Sequence, residues 1–172
     1  MLSKELEKAL NEQINFELYS SYLYMAMCGA LQSMNFEGAS NWMKVQAMEE
    51  MTHADKMFNF VFERDGKVML DKIDCPPSEW PSMLAVYEDV YKHEKIVTAR
   101  ISNLMELALS EKDHATSSFL QWFITEQIEE ESNAKTIIDK LKMANNAPHM
   151  LLMMDMELGK RQFTMPAASE QA

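Results

Sequence analysis

Glycine and proline are scarce in this sequence, at four and five residues in 172. So few backbone breakers argue against a chain of many short strands and favour long, uninterrupted helices. Cysteine is scarcer still. Cys28 and Cys75 are too few and too isolated for a disulfide framework or a thiolate metal site, which points to a reducing compartment. Basic charge is also short: 16 Lys and Arg stand against 27 Asp and Glu, for a formal charge of -11. Without clustered cations, a nucleic-acid partner is excluded, and an acidic surface instead attracts cations. Long apolar runs are missing too. The N-terminal MLSKELEKAL is charged and amphipathic, so neither a secretory signal nor a membrane span is expected, and the expected location is cytoplasmic.

What is present is 47% hydrophobic composition, seventeen methionines and an abundance of Ala, Leu, Glu and Lys. That content suits one helical domain with one core. The expected domain covers residues 1–163, with a short C-terminal tail over 164–172. Four long helices can be drawn. The first runs from an N-cap at Ser3 to about Leu31, with Leu10, Glu17, Tyr24 and Leu31 recurring along one seam. The second runs from near Phe36 to a stop at Asp65 and Gly66, with Met43, Glu50 and Met57 on its seam and His53 and Phe60 beside it. The third spans about Ser82 to Ser110 and aligns Tyr87, Glu94, Ile101 and Ala108. The fourth follows Asp113 and ends near Asn145, aligning Phe123, Glu130 and Ile137, with Leu120, Gln127, Ala134 and Leu141 alongside.

Short turns after the first and third helices predict two antiparallel hairpins. The segment from Gly66 to Pro81, at about 3.3 Å per residue, spans ~50 Å, more than the ~42 Å of a 28-residue helix. It therefore predicts a crossover that runs the length of the bundle and sets the second and third helices parallel. The methionine-rich HMLLMMDMELGKR predicts a short fifth helix docked on its own bundle or on a neighbouring subunit.

Each seam is apolar except at its middle, where Glu17, Glu50, Glu94 and Glu130 sit at mid-helix. Four inward carboxylates at one level repel one another and lose solvation, a cost of several kcal/mol per unpaired charge. Two divalent cations would balance them, and oxygen donors with one imidazole suit Fe(II) or Mn(II) better than a thiol-seeking metal. Glu50 and His53 form a Glu-x-x-His pair on one helix face, an arrangement also used by di-iron carboxylate bundles.

The stretches NEQINFELYSSYLY, EEMTHADKMF, YKHE and FLQWFITEQIEEE resemble the motifs of bacterial non-haem ferritins, over nearly the whole chain from Leu2 to about Lys160. The resemblance implies a ferritin-like four-helix bundle with a long crossover and a short fifth helix. It implies a homo-oligomeric shell of 24 subunits, in which Fe(II) is oxidised by O2 or H2O2 and stored as ferric mineral. Residue by residue, it implies Glu17, Glu50 and His53 at one iron and Glu94 and Glu130 at the other, with Glu50 bridging. Gln127 matches a non-ligand position on the oxidant side. Glu49, Glu126 and Glu129 match a third iron site, which Glu130 shares. Tyr24 and Trp122 match aromatic residues near the centre. Glu111, Asp113 and His114 are candidates for a threefold iron path.

The fourth helix reads Glu126-Gln127-Ile128-Glu129-Glu130 and continues Glu131-Ser132-Asn133, without the second Glu-x-x-His of bacterioferritins. No haem is expected, and Met51, at the position of their haem-ligating methionine, is read as packing. His93 and His114 are read as surface residues, and His149 as marking the loop before the last helix. The competing readings are a haem-bearing bacterioferritin, a rubrerythrin-type peroxidase lacking its Cys-x-x-Cys motifs, and a structural adaptor bundle.

Overall fold

The four long helices each begin where a side chain can satisfy the free amides of a first turn or where a tight turn delivers the chain. A computed structural model describes residues 1–164 and places α1 at Lys4–Ser33, α2 at Glu37–Glu63, α3 at Met83–Ser110, α4 at His114–Ala144 and α5 at Pro148–Leu158. Ser3 accepts from the Leu6 amide at 3.0 Å, Ser82 from Ala85 at 3.1 Å and Asp113 from Thr116 at 2.9 Å, so three helices start on the cap residues their sequences offer. α1, α2 and α3 end alike. Asn35, Asp65 and Lys112 take a left-handed conformation, and the next amide folds back onto Leu31, Val61 or Ala108. The left-handed residue after α2 is thus Asp65 rather than Gly66. Gly66 is needed for space, because a Cβ there would lie 2.9 Å from the Val61 carbonyl oxygen.

Cross-helix contacts fix the directions. Ser21 meets Ala47 and Cys28 meets Ser40, so α1 and α2 are antiparallel. Arg100 meets Gln13 and Glu94 meets Tyr24, so α1 and α3 are antiparallel too. α2 and α3 are therefore parallel, as the crossover length predicts. Glu7, Asn11 and Asn15, one turn apart on α1, hold that crossover. Glu7 accepts from the Lys67 amide at 2.8 Å, Asn11 exchanges bonds with Lys67 and Met69, and Asn15 donates to the Lys72 carbonyl at 3.1 Å. Side chains of α1 thus satisfy a backbone that has no ladder of its own.

Every residue named on the four seams is buried. The core nevertheless falls into two apolar halves. One is built on Leu6, Leu10, Met57, Phe60, Ile101 and Leu120, and the other on Met27, Leu31, Met43, Tyr87, Val90 and Leu141. Between them lie Glu17, Glu50, Glu94 and Glu130.

α5 docks on its own bundle. Asp155 accepts from the Ala39 amide at 2.8 Å and so caps the start of α2 from a distance in sequence. A Cβ at Gly38 would sit 1.8 Å from the Asp155 carbonyl oxygen, so this approach requires glycine. Pro148 opens α5, and His149 lies inside its first turn rather than before it. The expected tail over 164–172 lies outside the described residues except for Thr164.

Candidate metal centre

The heptad spacing that buries Leu10 and Leu31 on α1 also buries Glu17 between them. The same logic carries Glu50 between Met43 and Met57, Glu94 between Tyr87 and Ile101, and Glu130 between Phe123 and Ile137. His53, one turn after Glu50, is buried with it, and its Nδ1 lies 3.3 Å from Glu50 Oε2. Trp122 and Phe123 meet the His53 ring edge-on at 5.4 and 6.0 Å and hold its plane. Ligand atoms of Glu17, Glu50 and His53 all lie within 4.8 Å of one another.

The other two carboxylates are reached by neutral donors. Tyr24 donates its hydroxyl to Glu94 Oε1, and Gln127 Nε2 donates to Glu94 Oε2 at 3.0 Å. Gln46 Nε2 donates to Glu130 Oε2 at 2.8 Å and lies 3.4 Å from Glu50 Oε1, linking two helices through one amide. Gln13 Nε2 donates to Glu17 Oε1 at 2.8 Å. Glu17 Oε2 is buried with no hydrogen-bond partner among the described residues. A buried carboxylate oxygen without a donor is costly unless something else occupies its lone pairs.

The electrostatics follow from burial. Desolvation first, and the Glu50 charge second, push the Glu17 carboxyl up to about 8. Glu50 and Glu130 are pushed well above the carboxylate range by burial and by Glu94, and Glu94 itself is raised by burial. Burial and the Glu94 charge likewise keep the Tyr24 phenol protonated as a donor. Burial therefore favours the protonated carboxyls while no cation is present, with Glu17 still holding its proton at neutral pH. Divalent cations entering the layer would displace such protons, and the set of carboxylates with one imidazole fits hard or borderline ions such as Fe(II).

Two supporting relays were not anticipated from sequence. Arg100 Nε donates to Gln13 Oε1 at 2.8 Å, and Arg161 Nη1 donates to Gln46 Oε1 at 2.7 Å. Each guanidinium lies over an aromatic ring, Arg100 over Phe16 and Arg161 over Trp42, both at 4.2 Å. The arginines fix which end of each glutamine faces the carboxylates. The sequence signal was available: Gln13 precedes Glu17, and Gln46 precedes Glu50, by four residues.

The remaining candidates are placed as follows. Glu49 is half-buried and paired with Arg161. Glu126 is half-buried, and Glu129 is exposed. Trp122 lies under the Lys56 ammonium at 4.9 Å. Met51, read as packing, instead lies on the outside of α2 and is 50% exposed. His93, read as a surface residue, is buried. Its Nε2 lies 2.7 Å from Ser20 Oγ, its ring stacks on Phe16 at 5.2 Å, and burial lowers it to about 4. The heptad seam passes through Glu94, and the residue before it turns toward α1 rather than solvent. His114 is exposed, whereas Asp113 is committed to the α4 cap and to a two-pronged pair with Arg64 at 2.9 and 3.0 Å.

The model of the ferritin-like domain matches residues 7–144. The chain is 42% identical over 161 residues to a bacterial non-heme ferritin of Bacteroides fragilis, covering 94% of this chain and all of that one. It is 41% identical over 163 residues to a bacterial non-heme ferritin of Staphylococcus epidermidis, covering 95% and 98% of the two chains. Among solved structures, an open-pore ferritin from the archaeon Archaeoglobus fulgidus superposes with a TM-score of 0.93 at 50% identity, covering 94% of this chain and all of that one. A humanized archaeal ferritin superposes with a TM-score of 0.95 at 50% identity, over 96% of this chain and all of that one.

Proposed function

The chain belongs to the ferritin family, and from that premise and the central layer we propose that it stores iron by oxidising Fe(II) at a paired site inside each subunit. Fe(II) is the substrate, and O2 or H2O2 the electron acceptor. The observation that carries the reading is the buried layer itself: four carboxylates from four helices, one imidazole, and a Glu17 oxygen with no donor. A structural bundle gains nothing from that arrangement, since apolar residues at the same positions would pack at lower cost.

Glu17, Glu50 and His53 would hold the first iron, and Glu94 and Glu130 the second, with Glu50 between them. Each carboxyl releases its proton as a cation arrives. Two ferrous ions match the charge of four glutamates. A ferric pair exceeds it by two charges, an excess that hydroxide or oxide from water would balance as the product hydrolyses. Tyr24 and Gln127 keep Glu94 oriented through this change, and Gln46 does the same for Glu130 and Glu50. Glu49, Glu126 and Glu129 would form a third site on the path out, and the mineral would collect inside a cytoplasmic 24-subunit shell. No haem takes part in this reading.

The test is anaerobic Fe(II) titration of metal-stripped protein, followed by oxygen or peroxide. The expected result is two tight equivalents per subunit and rapid oxidation, both lost in Glu50→Ala and Glu130→Ala. Unsaturable binding in the wild type, or rapid turnover surviving both substitutions, would sink the assignment.

A further inference from the structure

We infer that Arg161 is a tethered counter-cation that masks Glu49, so that a further divalent ion binds beside the paired centre only when this guanidinium lets go. The inference rests on the reading of the central layer as an iron-oxidation site and adds a gate to it.

Arg161 follows α5, and four residues of one α2 face, far from it along the chain, hold it. Asn41 Nδ2 donates to its carbonyl at 3.0 Å, and Trp42 lies under its guanidinium at 4.2 Å. Nη1 donates to Gln46 at 2.7 Å, and Nη2 donates to Glu49 Oε2. Both side chains of the Arg161–Glu49 pair are mostly shielded, at 21% and 25% exposure, so solvent does not simply screen the pair away. Glu49 neighbours the centre closely enough for its charge to act on both Glu50 and Glu130. An ion seated on Glu49 and the Arg161 fork therefore compete for the same carboxylate and the same field.

Arg100 provides the internal contrast. It makes the same relay to Gln13, but its other contact is the Glu12 carbonyl at 3.0 Å, not a carboxylate. Arg100 thus orients an amide, whereas Arg161 orients an amide and also occupies an acid. The two tasks of Arg161 are coupled. When an ion displaces it from Glu49, Gln46 loses the donor that sets its amide, and the carboxylates of Glu130 and Glu50 are held less firmly.

Co(II), which resists oxidation by O2 under these conditions, is the probe, titrated calorimetrically into the assembled, metal-stripped protein. Arg161→Met is expected to retain the first two equivalents with weakened affinity, because Gln46 loses its donor, and in the opposite direction to tighten the next equivalent about tenfold, the scale of one charge-assisted hydrogen bond released. Arg161→Lys, which keeps the charge but not the fork, should fall between. A merely structural role would loosen α5 and weaken the third equivalent along with the first two. The double variant Glu49→Gln/Arg161→Met should show no tightening, and tightening there would overturn the masking of Glu49. The first two equivalents retained with an unchanged third in Arg161→Met would overturn the gate while leaving the paired centre standing. Absence of the two tight equivalents from the wild type would overturn both.

Discussion

Replacing Glu17 with Gln should stabilise the metal-free protein, by an amount that grows with pH. The Glu17 carboxyl is held up to about 8 in the fold, against an ordinary value of 4.5. Between those values the folded state keeps a proton that the unfolded chain gives up, so stability is full below 4.5 and drains away as pH rises toward 8. At ~1.4 kcal/mol per pH unit the accumulated cost is about 3 kcal/mol at pH 7 and about 5 kcal/mol at pH 8. Glutamine has the shape of the neutral acid and carries no such cost. Its N–H, however, would replace the Glu17 proton in the hydrogen bond to the Glu50 carboxyl with a weaker donor, offsetting about 1 kcal/mol. The variant should therefore match the wild type near pH 5.5 and exceed it by about 4 kcal/mol at pH 8, a Tm difference of roughly 10 °C for a chain of this length. Scanning calorimetry of chelator-stripped protein at matched concentration reads it directly. Saturating Co(II) should reverse the order, because the wild type alone keeps every ligand of the proposed site. A Tm gap that stays constant from pH 5.5 to 8 would refute the reasoning, since it would mean that Glu17 carries no proton at neutral pH.

Two further outcomes follow from packing rather than charge. Gly38→Ala places a Cβ 1.8 Å from the Asp155 carbonyl oxygen, so α5 must move; a loss of about 1–3 kcal/mol and faster proteolysis between Asn145 and Pro148 are expected, and an unchanged digestion pattern would contradict the close approach. Asp113→Ala removes both the α4 cap and the partner of Arg64, for an expected loss of about 1–2 kcal/mol in urea unfolding at neutral pH. Arg64 holds the Asp113 carboxyl down to about 2, so this contribution is present above its ordinary 3.8 and fades as pH falls through 2. An Asp113→Ala deficit that grew on acidification would count against it.

The long-range order of this fold was legible because its signals are periodic. Seam residues repeat every seven positions, and Ser3, Ser82 and Asp113 announce helix starts in the residue type the backbone needs. The crossover followed from a length comparison alone. Two of the residues that sequence reasoning misplaced, His93 and Met51, lie one position beside a seam, where a small helix rotation decides between core and solvent. His93 turns inward because Ser20 and Phe16 offer it a partner and a stacking face. Met51 lies outward because α1 covers a different side of α2. Arg161 was invisible for another reason: its contacts depend on where α5 lands, and no local pattern near residue 161 encodes Glu49 or Gln46.

The way positive charge reaches the central layer suits the iron site proposed there. A guanidinium in direct contact with Glu17 or Glu130 would hold that carboxylate ionised, satisfy its oxygens, and compete with the cation the site is built to take. Here Arg100 and Arg161 stand one glutamine back, each donating to an amide oxygen while the amide nitrogen faces the acid. Neutral amides orient the oxygens without cancelling their appetite for a metal. The protons retained by the buried carboxyls then act as temporary occupants that leave when a cation arrives. The two apolar halves on either side, each bound by all four helices, supply the packing that offsets a polar layer in the middle of the core. If the arginines were moved forward into ion pairs, for instance by Gln46→Ala with Arg161 free to reach Glu130, the metal-free protein should gain stability above pH 7 and lose affinity for divalent ions together. Stability and affinity rising in parallel in that variant would show that the glutamine spacer has no such role.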